Sequence, residues 1–351
     1  MKGKKDISKY SIKDLLSKIS ELVAEDNFPV ADKFTTKALS IDPLNPQVLL
    51  QAAIVKFELG EPEPAINIEP DVGYEKYLYL GQMSVEHDSI KNYEKGILLI
   101  TSLLENIPNL TESEQLDLKR KISEAYISMT EIYLSDLCFE ADAELRCENY
   151  LKLGELADPT CAEIYQTLAS VRMSQNRVDE AKEALNKSIS IWKGLELGNP
   201  LIPSYENRLS LTRLLIECDL LEDALVLLES LQKEDDMSVD LFYLYGFVYY
   251  LQGEKSASNE AGNNITDDED RHELWIESAE CLQKALKIIS FGHYYDQGVI
   301  DHTHQLFQEI VSVYPNIKKE LKKQNEIIDS AENVDEAWET DSDSDVMMDT
   351  A

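Results

Sequence analysis

The stretch AEIYQTLASVRMSQNRVDEAKEALNKS, residues 162–188, decides the fold. Large residues Tyr165 and Leu168 precede the small Ala169, and Ala181, Leu185 and Ser188 follow at helical spacing. Apolar positions three and four apart mark one face of a helix. The polar triplet Gln175-Asn176-Arg177 separates two such segments, so the stretch predicts a helical hairpin. Only Arg172 is out of character on the apolar side.

The pattern returns along the chain. From Tyr205 it gives Leu211, Thr212, Leu215, Ala224, Leu228 and Leu231. From Val239, 34 residues further on, it gives Phe242, Tyr245, Gly246 and Tyr249. The matching second helix, Trp275 to Ile288, carries Ser278, Leu282 and Ala285 but arrives 20 residues late. The polar, acidic stretch Gly253 to Asp270 between them predicts a mobile insertion loop. Upstream, a unit from Ile12 gives Leu15, Leu22, Ala31, Ala38 and Pro43. A degenerate one follows from Pro46, with Pro62 and Pro64 breaking its middle. A third carries Tyr77, Leu80 and Gly81, then Ser89, Tyr93 and Gly96 after a slightly long turn. A fourth, from Ile122, gives Met129, Ile132, Ala141 and Leu145.

This pattern resembles the tetratricopeptide repeat, a 34-residue helix hairpin. Each hairpin has apolar residues on both sides and buries them only against its neighbours. The expected fold is therefore an all-α tetratricopeptide-repeat superhelical solenoid over residues 11–323, closed by a capping helix at Asp296 to Tyr314. The alternative is an irregular helical bundle. Residues 1–10 read as a basic extension and 324–351 as a disordered acidic tail, without Lys or Arg after Lys323. In the tail Ser342 and Ser344, each followed by Asp, suit an acid-directed kinase.

The formal net charge of −34 disfavours nucleic acid and anionic membrane as partners and favours basic ones. No apolar run approaches the ~20 residues of a membrane span, and the N-terminus does not read as a secretory signal. The five cysteines lack C-x-x-C spacing, which points to reduced thiols without a metal. There is no phosphate loop or G-x-S-x-G motif, and His302 and His304 point to different helix faces. No enzyme activity and no cofactor are expected.

In the repeat register, positions 2, 5, 9 and 12 of each first helix line the concave face. Those positions supply Glu163, Glu206, Asp240, Tyr243, Phe247 and Tyr250, and in the fourth unit Tyr126 and Tyr133, with Asp136 one turn on. Aromatic faces beside carboxylates suit a segment rich in Lys or Arg. Gln82, Ser170, Arg213 and Phe247 stand where carboxylate-clamp repeats carry Asn, so that clamp looks absent.

A closer resemblance lies in the run Glu131-Ile-Tyr-Leu-Ser-Asp-Leu-Cys-Phe-Glu-Ala-Asp-Ala-Glu-Leu-Arg-Cys-Glu148. With Tyr77-Leu-Tyr-Leu-Gly-Gln-Met83, Leu168-Ala-Ser-Val-Arg-Met-Ser-Gln175 and the acidic tail around Trp338, it resembles the fungal assembly chaperones of ribosomal protein L-four. The resemblance implies a monomer that captures the newly made basic protein one to one. It would hold the client's internal loop, pass with it and an import receptor from cytoplasm to nucleus, and release it at the pre-ribosome. The alternative is a repeat adaptor in a larger complex.

Overall fold

The computed structural model of the 351-residue chain describes residues 10–61, 73–107, 109–258, 265–292, 294–319 and 321. Among the described residues there are fourteen α-helices and no strand. They fall into two compact units, Met1–Pro203 and Ser204–Ala351. The first holds α1 (Ile12–Ala24), α2 (Phe28–Ile41), α3 (Pro46–Glu58), α4 (Tyr74–Met83), α5 (Glu86–Asn106), α6 (Glu112–Leu134), α7 (Ala143–Ala157), α8 (Ala162–Ser174) and α9 (Val178–Trp192). The second holds α10 (Tyr205–Glu217), α11 (Leu221–Gln232), α12 (Val239–Ser258), α13 (Ile265–Ile289) and α14 (Gln297–Val313).

Within each unit the helices pack on their sequence neighbours, and first helices of successive hairpins also touch. α1 meets α3 and α6 meets α8; in the second unit α10 meets α12 and α12 meets α14. This nearest-neighbour stacking is the tetratricopeptide-type solenoid that the repeat pattern predicts.

Local chemistry sets where helices begin and end. Ser11 with Asp14, and Thr111 with Glu114, form reciprocal capping boxes at α1 and α6. Asn45 caps α3 ahead of Pro46, and Asp296 caps α14. Four first helices stop in the same way. Asp26, Gly60, Asn176 and Asp219 each take a left-handed conformation just after α1, α3, α8 and α10. The amide of the next residue then donates back five positions, as from Asn27 to Leu22 and from Arg177 to Arg172, each at 2.8 Å. This closure satisfies carbonyls that the helix end would otherwise leave bare.

Paired helices cross closely through small residues, and a small polar side chain on one helix bonds a carbonyl of the other. Ser278 Oγ donates to the Gly246 carbonyl at 2.6 Å, and Ser188 Oγ to that of Ala162 at 2.9 Å. Ser89 Oγ does the same to Gly81, and Ser123 Oγ to Gly154 at 3.2 Å. A Cβ on Gly246 would lie 2.6 Å from Leu282 Cγ, so only glycine allows this approach.

The second-helix register in the unit from Ile122 differs from the sequence reading. α6 starts ten residues before Ile122, at Glu112. Its partner α7 starts only at Ala143, which leaves Ala141 and Leu145 exposed and buries Ala143 and Cys147. The turn after Gly81 is short, not long: α4 ends at Met83, and only Ser84 and Val85 precede α5. The insertion expected over 253–270 is largely helix. Residues 253–258 are the last turns of α12 and 265–270 the first turns of α13. Gly253 marks packing rather than a break. Trp275 lies against it so closely that a Cβ would sit 2.5 Å from the indole Cδ1. Residues 259–264, the tail 324–351 with Ser342 and Ser344, most of the 1–10 extension, and Pro62 and Pro64 lie outside the described residues.

Arg172 has a clear role. Its guanidinium bonds Glu148 of α7 at 2.6 Å and pairs with Glu180 of α9 at 3.2 Å, tying three helices together. In the second unit Arg208, 4% exposed, makes a two-pronged bond to Glu234 at 2.5 and 2.7 Å. In the first, Arg120 bonds Asp158 and Thr160. Burial pushes the Asp158 carboxyl up, but the bonds from Thr160 and Arg120 outweigh it and hold the group below its ordinary value. Arg172 beside Glu148 and Arg208 beside Glu234 lower those carboxyls as well.

Two outcomes follow for stability. Gly246→Ala is expected to cost about 1–3 kcal/mol, through forced repacking of Leu282 and the helix crossing, as read by urea denaturation. The three depressed carboxylates contribute stability that is full above their unfolded value of about 4 and lost as pH falls through their lower folded-state values. Urea midpoints followed from neutral pH into acid should therefore fall in that window. Asp158→Asn should flatten the fall.

Candidate functional site

In the first unit the first helices α3, α4 and α6 surround a cavity of about 460 Å³. α3 contributes Leu50 and Ile54, which are positions 5 and 9 of the degenerate unit from Pro46. α4 contributes Glu75, Leu78 and Gln82, which are positions 2, 5 and 9 of a unit opening at Tyr74. These are the positions that the repeat register assigns to the concave face. Tyr74, Tyr79 and Tyr93 add aromatic wall, and Lys121, Glu124 and Ser128 of α6 close the far side. Tyr79 donates its phenol to Glu58 at 3.3 Å. Burial, then the charge of Glu75, raises the Tyr74 phenol, which keeps its proton.

The register of α6 decides which of its residues face this groove. Where a second helix reaches into the carbonyl at position 8, it does so at Gly81 and Gly246. The equivalent bond in α6, Cys147 Sγ to the Thr130 carbonyl at 3.8 Å, places Thr130 at position 8. The unit therefore opens at Ser123, one residue later than the sequence suggests. One residue turns a helix by roughly 100°, which moves Glu124 and Glu131 to positions 2 and 9. The tips of both are open to solvent, yet burial of the surrounding groove raises both carboxyls. For Glu124 the nearby charges of Lys121 and Arg120 oppose that rise. Protein mass displaces much of the water that would hydrate these charges.

The same rotation corrects Tyr133. It is 2% exposed and belongs to the core, tilted on Tyr150 at 5.9 Å with the Arg146 guanidinium 5.5 Å above its ring. Tyr126 is half-buried and stacks on Tyr150 at 5.9 Å, so one face serves the packing of α6 on α7. Asp136 is exposed just past α6, and Glu163 is partly exposed at the start of α8.

In the second unit Glu206 is exposed on α10. Asp240 is not a bare charge. Arg213 bonds it at 2.5 Å and the Tyr294 phenol donates to it at 3.2 Å. The aromatics of α12 pack against the last helix instead of standing open. Tyr243 meets His302 Nδ1 at 2.9 Å, and Phe247 meets the same imidazole edge-on at 5.3 Å. Tyr250 stacks on Trp275 at 5.1 Å. All three sit partly buried on the cluster of Trp275, Leu306 and Ile310. α14 needs an apolar seat, and these rings supply it.

Sequence reasoning missed Leu50, Ile54, Glu75, Tyr79 and Glu124. Gln82 stands out in the sequence only as a slot that lacks Asn. The degenerate repeat from Pro46 hid the first two. The signal that was present is the Tyr77–Met83 run, whose alternate faces carry the core and the groove.

Among the described residues no group of His, Cys, Asp and Glu is arranged to hold a metal ion, and no helix is long and apolar enough to cross a membrane. Burial raises the thiols of Cys147, Cys161 and Cys281 to about 11, 12 and 12, so they stay protonated. A carboxyl raised by burial opposes folding while ionised and gains stability as pH falls through its folded-state value. Glu131→Gln is therefore expected to raise the thermal midpoint of the free protein at pH 7, measured by circular dichroism.

No family model matches the chain. A Schizosaccharomyces pombe protein named "Probable assembly chaperone of rpl4" is 36% identical over 274 residues, 77% of this chain and 79% of that one. One of the same name from Emericella nidulans is 31% identical over 348 residues, 93% of this chain and 86% of that one. The solved structure of "Assembly Chaperone of RpL4 (Acl4)", residues 1–338, is 33% identical with a TM-score of 0.57, covering 71% of this chain and 99% of that one. On these two sequence matches, each at least 31% identical over 77% or more of this chain, and on the solved structure, the chain belongs to the family of assembly chaperones of rpl4.

Proposed function

We propose that this chain is a dedicated chaperone of newly made ribosomal protein L4. It binds the client's basic internal loop, travels with it from cytoplasm to nucleus and gives it up at the pre-ribosome. The observation that carries this reading is membership of the family, whose curated relatives are named for that client. The groove chemistry supports it. A net charge of −34 draws in a cationic chain over a distance, while Glu75, Glu124, Tyr74 and Tyr79 offer close contacts to cations and their aliphatic stems.

A basic loop destined for burial in RNA binds polyanions indiscriminately while it is free. Covering it with carboxylates removes that hazard until a denser anion competes. Ribosomal RNA carries such a charge density, so exchange at the pre-ribosome releases the client without hydrolysis of a nucleotide. The chaperone acts as a monomer on one client, and an import receptor engages the complex through the client. No catalytic step and no cofactor enter this cycle.

Co-expression tests the reading directly. L4 should become soluble and co-purify one to one with this chain, while other basic ribosomal proteins should not. A multi-subunit complex lacking L4 in a pull-down would replace the chaperone with an adaptor. Affinity for L4 should fall by roughly tenfold or more as salt rises from about 0.05 to about 0.5 M. An affinity independent of salt would refute the electrostatic cycle.

A further inference from the structure

We propose that the cavity between α3, α4 and α6 is a pocket for a single arginine side chain of the client, an anchor within the groove. The inference rests on the reading of the chain as an L4 chaperone and assigns that reading a place.

Three observations converge on a guanidinium. The first is an orphaned acceptor. The Glu75 carboxylate is bonded by the Tyr74 phenol, but its Oε2 is buried and has no hydrogen-bond partner among the described residues. A buried acceptor left in that state is costly, and a donor brought by a partner relieves the cost. The second is the placing of charge on two walls. Glu75 stands on α4 and Glu124 on α6, both lining the same cavity. Glu124 is exposed and lines the cavity, so its carboxylate can reach a cation there, and the surrounding protein raises its carboxyl. Lys121 shares that wall and offsets part of Glu124's charge, as its lowering effect on that carboxyl shows. The third is the shape of the rest. Leu50, Ile54 and Leu78 give an aliphatic surface for a side-chain stem.

These features select arginine over lysine. Two carboxylates on different helices ask for donors that diverge. A guanidinium has five in one plane, while an ammonium is a compact point charge. Tyrosine rings in the wall match the flat face of a guanidinium, which stacks on aromatic surfaces. An apolar or acidic client side chain satisfies neither carboxylate.

The test measures binding of full-length L4 to the full chain by calorimetry. Glu75→Gln keeps shape and folding but removes the charge, and is expected to weaken binding roughly tenfold. Glu124→Gln, at a solvent-open position the fold does not need, should weaken it about threefold and guards against misfolding of the first variant. Glu222→Gln, on the exposed face of α11 and outside the cavity, is the control and should change nothing. L4 variants with single Arg→Lys changes then locate the guest. At one position the client change and Glu75→Gln should be non-additive, and at the others they should add. If wild type binds L4 while Glu75→Gln and Glu124→Gln bind as tightly as the control, the pocket is wrong and the chaperone reading stands. The pocket is equally wrong if every client arginine adds independently. If wild type does not bind L4 at all, both fall.

Discussion

Two helices that cross as closely as α12 and α13 do so because nothing larger than a hydrogen stands at Gly246, and because the Ser278 hydroxyl meets the carbonyl exposed there. The rest of the molecule depends on this arrangement. A close crossing makes each hairpin a thin wedge with apolar residues on both sides, and such wedges are stable only when stacked. The same kind of bond joins Ser89 to Gly81, Ser123 to Gly154 and Ser188 to Ala162. Each gives a buried hydroxyl an acceptor on the facing helix. The bond recurs along the first unit and appears once in the second, beside the apolar clusters that each unit buries.

Stacking also creates the groove, and the groove places charges where they are least welcome. Structural carboxylates such as Asp158, Glu148 and Glu234 are each met by an arginine and sit below their ordinary values. Those of the groove, Glu124 and Glu131, sit above theirs because burial takes their water. The two classes differ in what they are for. Paired carboxylates stabilise the free protein. Glu124 and Glu131 have no arginine partner of this kind and stand exposed on α6.

The second unit resolves a competition that the sequence leaves open. Tyr243, Phe247 and Tyr250 are large, amphipathic and correctly spaced for a binding face. They are equally suited to receive the apolar side of α14, which has Leu306 and Ile310 to bury. Packing wins because α14 is tethered close by and buries its face with every molecule, whereas a partner must first be found. His302, unremarkable in sequence, becomes the hinge point of that contact through Tyr243 and Phe247.

The amino-acid sequence by itself determined the all-α class, the hairpin repeat, the terminating turns such as Gln175–Arg177, and an acidic molecule suited to a basic partner. These follow from local periodicity, from side-chain size at the helix crossings and from the sum of charges, none of which needs distant contacts. Tertiary structure alone decided which carboxylates and tyrosines face the groove. A single residue of register on α6 rotates Tyr133 into the core and brings Glu131 out. That register shows in the contact of Cys147 Sγ with the Thr130 carbonyl, across a turn whose length the repeat pattern does not specify. It likewise decided that 253–258 and 265–270 are helix. Glycine and polar residues break a helix only where nothing packs on them, and here Trp275 packs on Gly253.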